Sequence, residues 1–179
     1  PVILAGEGIR LGNAYEEFLD MIEALQIPVV TAWNAHDLLW DSHPLYVGRP
    51  GSVGTRGGNF VVQNSDLLLV LGCRLNIRQI SYNYREFAKR AFKIVVDIDE
   101  KELHKPTVAI DLPVWADVKE MMPALARTAR ERSKGTNAKA HGEWLTWCRM
   151  IHEKYPATLP GYYQKEEPIN PYAFITELS

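Results

Sequence analysis

Arg74 and Arg78, just downstream of Gly72, are the residues of this chain best suited to gripping an anion. Each guanidinium is a permanently charged planar fork that matches phosphate oxygens. Gly72 lets the backbone turn sharply, or lets a ligand approach it closely. A second candidate runs from Gly48 to Gly58, where five glycines and the arginines Arg49 and Arg56 make a loop whose N–H groups could wrap an anion. Asp97 and Asp99 could accept hydrogen bonds from ribose or adenine groups, although Asp99 reads first as the cap of a helix starting at Glu100. His36, Asp37, Asp41 and His43 fall within eight residues, but their spacing fits no familiar zinc pattern and reads as a polar loop. The competing interpretation of the arginines is a solvated loop after a central strand.

The elements that must position these groups follow from periodicity. Leu67 to Leu71 is an unbroken apolar run, the pattern of a strand buried on both faces in a parallel α/β sheet. Ligands bind at the carboxyl ends of such strands, where Gly72, Arg74 and Arg78 stand. Val2 to Ala5 is a second short buried strand, followed by Gly6-Glu7-Gly8. Ala14, Phe18, Met21, Ile22 and Leu25 recur at helical spacing between Asn13 and Gln26. Ile27 to Ala32 is another strand, with Pro28 where a missing N–H is tolerated. Asn59 to Asn64 predicts a short helix, Gln79 to Arg90 a polar helix, and Phe92 to Asp99 a strand ending in acids. Thr107 to Asp111 predicts an edge strand. Asp117 reads as the N-cap of a helix from Val118 to about Arg132, Ser133 to Ala140 as a polar linker, and Glu143 to Tyr155 as a last helix. The stripe Trp144, Trp147, Cys148 and Ile151 on that helix is suited to packing against a domain, including one outside this chain. The sum is an α/β fold: a Rossmann-like parallel sheet of five or six strands with helices on both faces.

Gly6-Glu7-Gly8 begins a dinucleotide fingerprint but does not complete it. Leu11 stands where the third glycine belongs, with Gly12 one residue late, and Thr31, Ala32 and Trp33 occupy the place of the ribose-binding acid. An NAD(P)-dependent reductase is disfavoured on that ground.

Composition sets bounds. The chain has 179 residues, 46% apolar and 23% charged, with net charge −2, so it supports a core and has no electrostatic footprint for nucleic acid or an acidic membrane surface. Cys73 and Cys148 lie far apart without metal-type spacing, as expected in a reducing, cytoplasmic setting. The chain opens at Pro1 in a strand and stops at Ser179 in a helix, as expected of a piece of a longer protein.

The order of these pieces resembles the central domain of thiamine-diphosphate-dependent enzymes, most closely the acetolactate synthase (acetohydroxyacid synthase) large-subunit group. The carriers are Gly6-Glu7-Gly8, Pro28-Val29-Val30-Thr31, His43-Pro44-Leu45-Tyr46-Val47-Gly48, Gly51-Ser52-Val53-Gly54-Thr55, Asn64 through Arg74, Val96-Asp97-Ile98-Asp99 and Asn170-Pro171-Tyr172. The resemblance implies that residues 1–132 form the middle, nucleotide-binding-type domain. Residues 133–179 would be a linker and helix leading to a C-terminal thiamine-diphosphate-binding domain. It implies FAD, or another adenine nucleotide, against Gly6, Glu7 and Gly8, Thr31, Ala32 and Trp33, and Gly51, Val53 and Gly54. Contacts would continue through Gly72, Arg74 and Arg78 to Asp97, Ile98, Asp117 and Val118. The arginines would face the pyrophosphate and Asp97 the ribose or adenine end. Thiamine diphosphate and magnesium would be bound by other domains of the same chain, in a homodimer or homotetramer, so that no catalytic residue falls here and the fragment alone would be inactive. No Gly-Asp-Gly, the family's magnesium and diphosphate signature, occurs. The family's synthases carry an acidic pair where Asn76 and Ile77 stand here, and a small residue in place of Glu7. Relatives use this domain to bind ADP, or as a nucleotide-free spacer, and a decarboxylase or oxidase acting on another 2-oxo acid is an alternative activity.

Overall fold

The structure is a computed structural model that describes residues 1–133, 141–164 and 168–178. Its elements in chain order are β1 (Val2–Ala5), α1 (Gly8–Leu11), α2 (Tyr15–Leu25), β2 (Val29–Thr31), α3 (Arg56–Asn64), β3 (Leu67–Leu71), α4 (Ile77–Ile80), β4 (Phe92–Asp97), α5 (Glu100–Leu103), β5 (Leu112–Trp115), α6 (Val118–Ser133), α7 (Gly142–Lys154) and α8 (Pro171–Leu178). The five strands form one sheet in the order β2-β1-β3-β4-β5, and every pairing is parallel. The register runs Ile3 to Val29 on one side and Ile3 to Leu69 on the other, then Leu69 to Ile94 and Val95 to Pro113.

All four residues of β1 are fully buried, as are Leu68, Val70 and Leu71 of β3. Successive side chains of a strand point to opposite faces. Burial at every position therefore requires helices over both faces, as the apolar run predicts. Phe18, Met21 and Ile22 of α2 are buried, as are Met122 and Ala126 of α6, and these two helices pack on each other. Each of the larger side chains, Phe18, Met21, Ile22 and Met122, contributes about 1.5–3 kcal/mol relative to exposure. Arg130 joins the pair by a fork to both carboxylate oxygens of Asp20, at 3.0 and 2.5 Å. Helix α2 stops at Gln26, whose left-handed backbone (φ 52°) returns an N–H to the Ile22 carbonyl, and Pro28 then opens the approach to β2.

Helix α3 begins at Arg56, three residues earlier than predicted, because the Thr55 hydroxyl accepts the Gly58 N–H at 3.1 Å. Helix α7 packs on α3. Cys148 is fully buried, Trp144 donates from Nε1 to the Pro1 carbonyl at 2.8 Å, and Trp144 stacks on Trp147 with centroids 5.0 Å apart. Cys148 and Ile151 of the apolar stripe are buried within this domain, while Trp144 and Trp147 are half-buried against it.

Two elements differ from expectation. The edge strand is Leu112–Trp115, not Thr107 to Asp111, and there is no sixth strand among the described residues. Val108 turns into the core without a ladder, while Asp111 exchanges bonds with Lys93, its N–H to the Lys93 carbonyl and its Oδ2 from the Lys93 N–H. Pairing continues downstream through Pro113, tolerable because β5 is an edge strand whose outer side needs no donor. Secondly, Gln79 to Arg90 is not one helix. Ser81 takes φ 67°, which ends α4 at Ile80, and only a short 3-10 turn, Tyr84–Glu86, follows. Residues 134–140, most of the predicted linker, lie outside the described residues. No described helix is long and apolar enough to cross a membrane.

Candidate functional site

Between β1 and β3 the chain leaves the sheet in opposite directions, β2 lying on one side of β1 and β4 beyond β3. Crevices at such a reversal, beyond the carboxyl ends of the strands, are where open α/β sheets bind ligands. A cleft of about 360 Å³ lies there. Of the residues predicted to contact a ligand, Glu7, Gly8, Ala32, Gly72, Arg74, Asp97, Ile98, Asp117 and Val118 line it. Gly6, Thr31, Trp33, Gly51, Val53, Gly54 and Arg78 do not. Leu11, Gly12, Asn34, Cys73, Asn76 and Gln79 line it without having been singled out. Gly12 had a signal, as the glycine one place late in the fingerprint. Gln79 had none, because a glutamine in a polar stretch reads as surface.

The glycines at the floor serve chain crossing. The Gly8 N–H donates to the Gly72 carbonyl at 2.9 Å, and a Cβ on Gly8 would sit 2.8 Å from the Gly72 Cα. Gly72 itself has φ 54°. The Gly6 N–H donates to the Leu71 carbonyl and the Ile9 N–H to the Gly6 carbonyl, so these three amides of the first turn are spent within the protein. The Gly48–Gly58 loop is similarly self-contained. The Gly51 N–H goes to Asn59 Oδ1, that of Ser52 to the Arg78 carbonyl, that of Gly54 to the Gly51 carbonyl and that of Gly58 to Thr55. These amides do not wrap an anion; they tie the loop to α3 and to the segment carrying Arg78.

The side chains divide by charge. Arg74 Nε donates to Glu102 Oε1 at 2.8 Å, and Lys105 contacts both Glu102 Oε2 and the Arg74 carbonyl. Burial works to raise the Glu102 pKa, but hydrogen bonds from Lys105 and Arg74 outweigh it and hold the carboxyl below its ordinary range. Two cations share the Glu102 carboxylate, with Asp97 close enough to feel both Glu102 and Lys105. Asp97, mostly buried, accepts the Asp99 N–H at 2.9 Å; burial pushes its pKa up despite that bond. Asp99 caps α5 through the Lys101 N–H, and Asp117 caps α6 through the Lys119 N–H at 2.8 Å, both as predicted. Burial also pushes the Cys73 thiol up to about 11. Arg78, outside the cleft lining, has its guanidinium 5.6 Å from the Trp33 ring centre. Asp37, from the histidine and aspartate loop, is held by Arg10 at 2.9 Å.

Gln79 is the odd group. It is 3% exposed, its Nε2 donates to the Pro50 carbonyl at 3.0 Å, and its Oε1 has no hydrogen-bond partner among the described residues. Within the cleft, Ala32 and Val118 supply apolar walls, and Arg74 and Asp97 supply groups of opposite charge. Among the described residues no group of three or more His, Cys, Asp or Glu could hold a metal ion.

A five-stranded, all-parallel sheet with a cleft at the strand reversal defines a Rossmann-like α/β domain. Residues 1–125 match the model of the thiamine pyrophosphate enzyme central domain, and the chain belongs to that family. It is 33% identical over 99% of its length to a probable acetolactate synthase large subunit of Methanococcus aeolicus, and 33% identical over 99% to that of Methanocaldococcus jannaschii. An acetolactate synthase large subunit of Cyanidium caldarium is 31% identical over 89%. The chain spans 30%, 29% and 27% of the lengths of these three proteins.

Proposed function

We propose that this domain binds FAD, or another adenine nucleotide, as the middle domain of an acetolactate-synthase-like transferase. The whole enzyme would condense a hydroxyethyl group derived from pyruvate with a second 2-oxo acid. The observation that carries the nucleotide assignment is the cleft at the β1/β3 reversal, lined by Ala32, Arg74, Asp97 and Val118. Asp97 would accept from ribose hydroxyls, Arg74 and Lys105 would meet phosphate charge, and Ala32 and Val118 would cover ring faces. Thiamine diphosphate and magnesium supply the carbanion chemistry from domains outside this chain. The fragment alone would hold the nucleotide site without turnover, in a cytoplasmic homodimer or homotetramer.

A nucleotide-free spacer is the competing assignment. Its specific support is that the glycine-loop amides are already spent on the protein's own carbonyls and side chains. Asn76, Ile77 and Glu7 similarly favour a decarboxylase or oxidase acting on another 2-oxo acid.

The test uses the natural full-length protein, denatured after purification and scanned for released flavin and adenine nucleotide, with acetolactate formation from pyruvate measured in parallel. Stoichiometric FAD with acetolactate formation is expected. ADP without flavin, together with simple decarboxylation, would move the assignment to a decarboxylase. Protein free of nucleotide would make the domain a spacer.

A further inference from the structure

At the end of the sheet away from the cleft, the chain encloses a second depression, of about 410 Å³. Arg85, Phe87 and Lys89 line it from the segment before β4, Lys93 from β4 itself, and Pro106 to Ala109 from the approach to β5. Lys93 and Asp97 stand near opposite ends of β4, about 13 Å apart at roughly 3.3 Å per residue, so this depression and the cleft are separate. Every charged side chain in its lining is a cation.

The local acids do not use up these cations. Glu86 pairs with Lys89 at 3.0 Å, but Arg85 makes no hydrogen bond or ion pair with another described residue. Lys93 is 7% exposed, and its Nζ donates to the Ala88 and Ala91 carbonyls at 3.2 and 2.8 Å. Asp111 stands 3.7 Å from that Nζ, beyond hydrogen-bond reach, and the same carboxylate oxygen accepts the Lys93 N–H at 2.8 Å. A buried ammonium so loosely matched leaves positive potential at the wall of the depression. The backbone adds donors. The N–H groups of Thr107, Val108 and Ala109 form no hydrogen bond with a described residue, although Val108 is only 6% exposed. Enclosed amides are nearly always paired. The glycine loop has spent its amides on the protein; this lining has not.

We propose that this depression is a second ligand site, which takes the phosphate group of a small phosphorylated metabolite. Arg85 offers a planar fork to two phosphate oxygens, Lys89 a point charge, and the unpaired amides neutral donors. Lys93 acts through its field rather than by contact. A phosphate dianion suits this set better than a carboxylate, because it carries more charge and directs three oxygens toward separate donors. The depression is larger than a phosphate group alone, and Phe87, Pro106 and Ala109 supply apolar surface for the carbon part of the ligand. The site is independent of the nucleotide assignment above.

The test titrates the natural full-length protein with phenyl phosphate, inorganic phosphate and benzoate, read by calorimetry at low ionic strength. Arg85→Gln and Lys89→Gln change exposed side chains, so folding is expected to be kept; Arg74→Gln reports on the cleft. Saturable binding of phenyl phosphate is expected, tighter than that of inorganic phosphate or benzoate. Arg85→Gln is expected to weaken it roughly tenfold and Lys89→Gln roughly threefold, with Arg74→Gln within about twofold of wild type. Phenyl phosphate binding unchanged in Arg85→Gln overturns the proposal, as does the absence of saturable binding. A loss in Arg74→Gln instead would put the phosphate in the cleft, overturning the second site while leaving the nucleotide assignment standing. Benzoate bound as tightly as phenyl phosphate overturns the phosphate class.

Discussion

Gly8 and Gly72 meet backbone to backbone: the Gly8 N–H donates to the Gly72 carbonyl at 2.9 Å, and a Cβ on Gly72 would lie 2.9 Å from the Gly8 Cα. This contact joins the turn after β1 to the turn after β3 and forms the floor of the cleft. Gly72→Ala places a side chain at φ 54° and drives it into that contact. A loss of roughly 2–4 kcal/mol is expected, combining left-handed strain with overpacking. Denaturant unfolding of the variant and wild type checks it; equal midpoints would show that the two turns can separate.

Thr55 holds the glycine loop to α3. Its hydroxyl accepts the Gly58 N–H at 3.1 Å and the Arg49 N–H at 3.3 Å. Thr55→Ala is expected to cost about 1–2 kcal/mol, and Thr55→Ser to restore most of it, since only the oxygen is required. Thermal unfolding of the three proteins reads this directly.

Cys73 and Cys148 are buried, and burial pushes their thiols up to about 11 and about 12. Neither is a thiolate at neutral pH, and the thiolate is the reactive form. Peptide mass spectrometry after brief iodoacetamide treatment at pH 7.5 is expected to find both unmodified in folded protein and both alkylated in denaturant. Rapid labelling of Cys73 in the folded state would mean that the cleft wall opens.

Asp97 and Glu102 are neighbouring acids shifted in opposite directions, which gives opposite pH signatures. Burial raises Asp97, so the protein is free of this cost below the unfolded pKa and bears it as pH rises through the folded value. Asp97→Asn, which keeps the oxygen that accepts from Asp99, is expected to raise Tm at pH 8 and to raise it less at pH 4. Lys105 and Arg74 lower Glu102, so its contribution is present above the unfolded pKa and lost as pH falls through the folded one. Glu102→Gln is expected to lower Tm at pH 8, with the deficit shrinking toward acid. Effects of the same sign in both variants would contradict the assigned environments.

Much of the fold was legible locally. The run Leu67 to Leu71 could be buried only inside a two-sided sheet, and the spacing of Phe18, Met21 and Ile22 could place an apolar face only on a helix. The caps at Asp99 and Asp117 were legible because the side chain and the amide it accepts are two residues apart. The edge strand was not, because Thr107 to Asp111 and Leu112 to Trp115 are comparable as local β sequence. The choice between them was made by the ladder that Leu112 to Trp115 forms with Ile94 to Asp97 on β4.

By itself the sequence determined the parallel α/β class of the sheet, its buried central strands and the helices that flank them, since each depends on burial patterns repeating within a few residues. Only the tertiary structure decided which polar groups remain available there. The amides of Gly8 and Gly51 look free in the sequence, yet are consumed by Gly72 and Asn59; Gln79 looks solvated, yet is buried with its oxygen unpaired. Hydrogen-bond partners eight to sixty-four residues apart are chosen by how the loops pack over the sheet, and no local pattern encodes that choice.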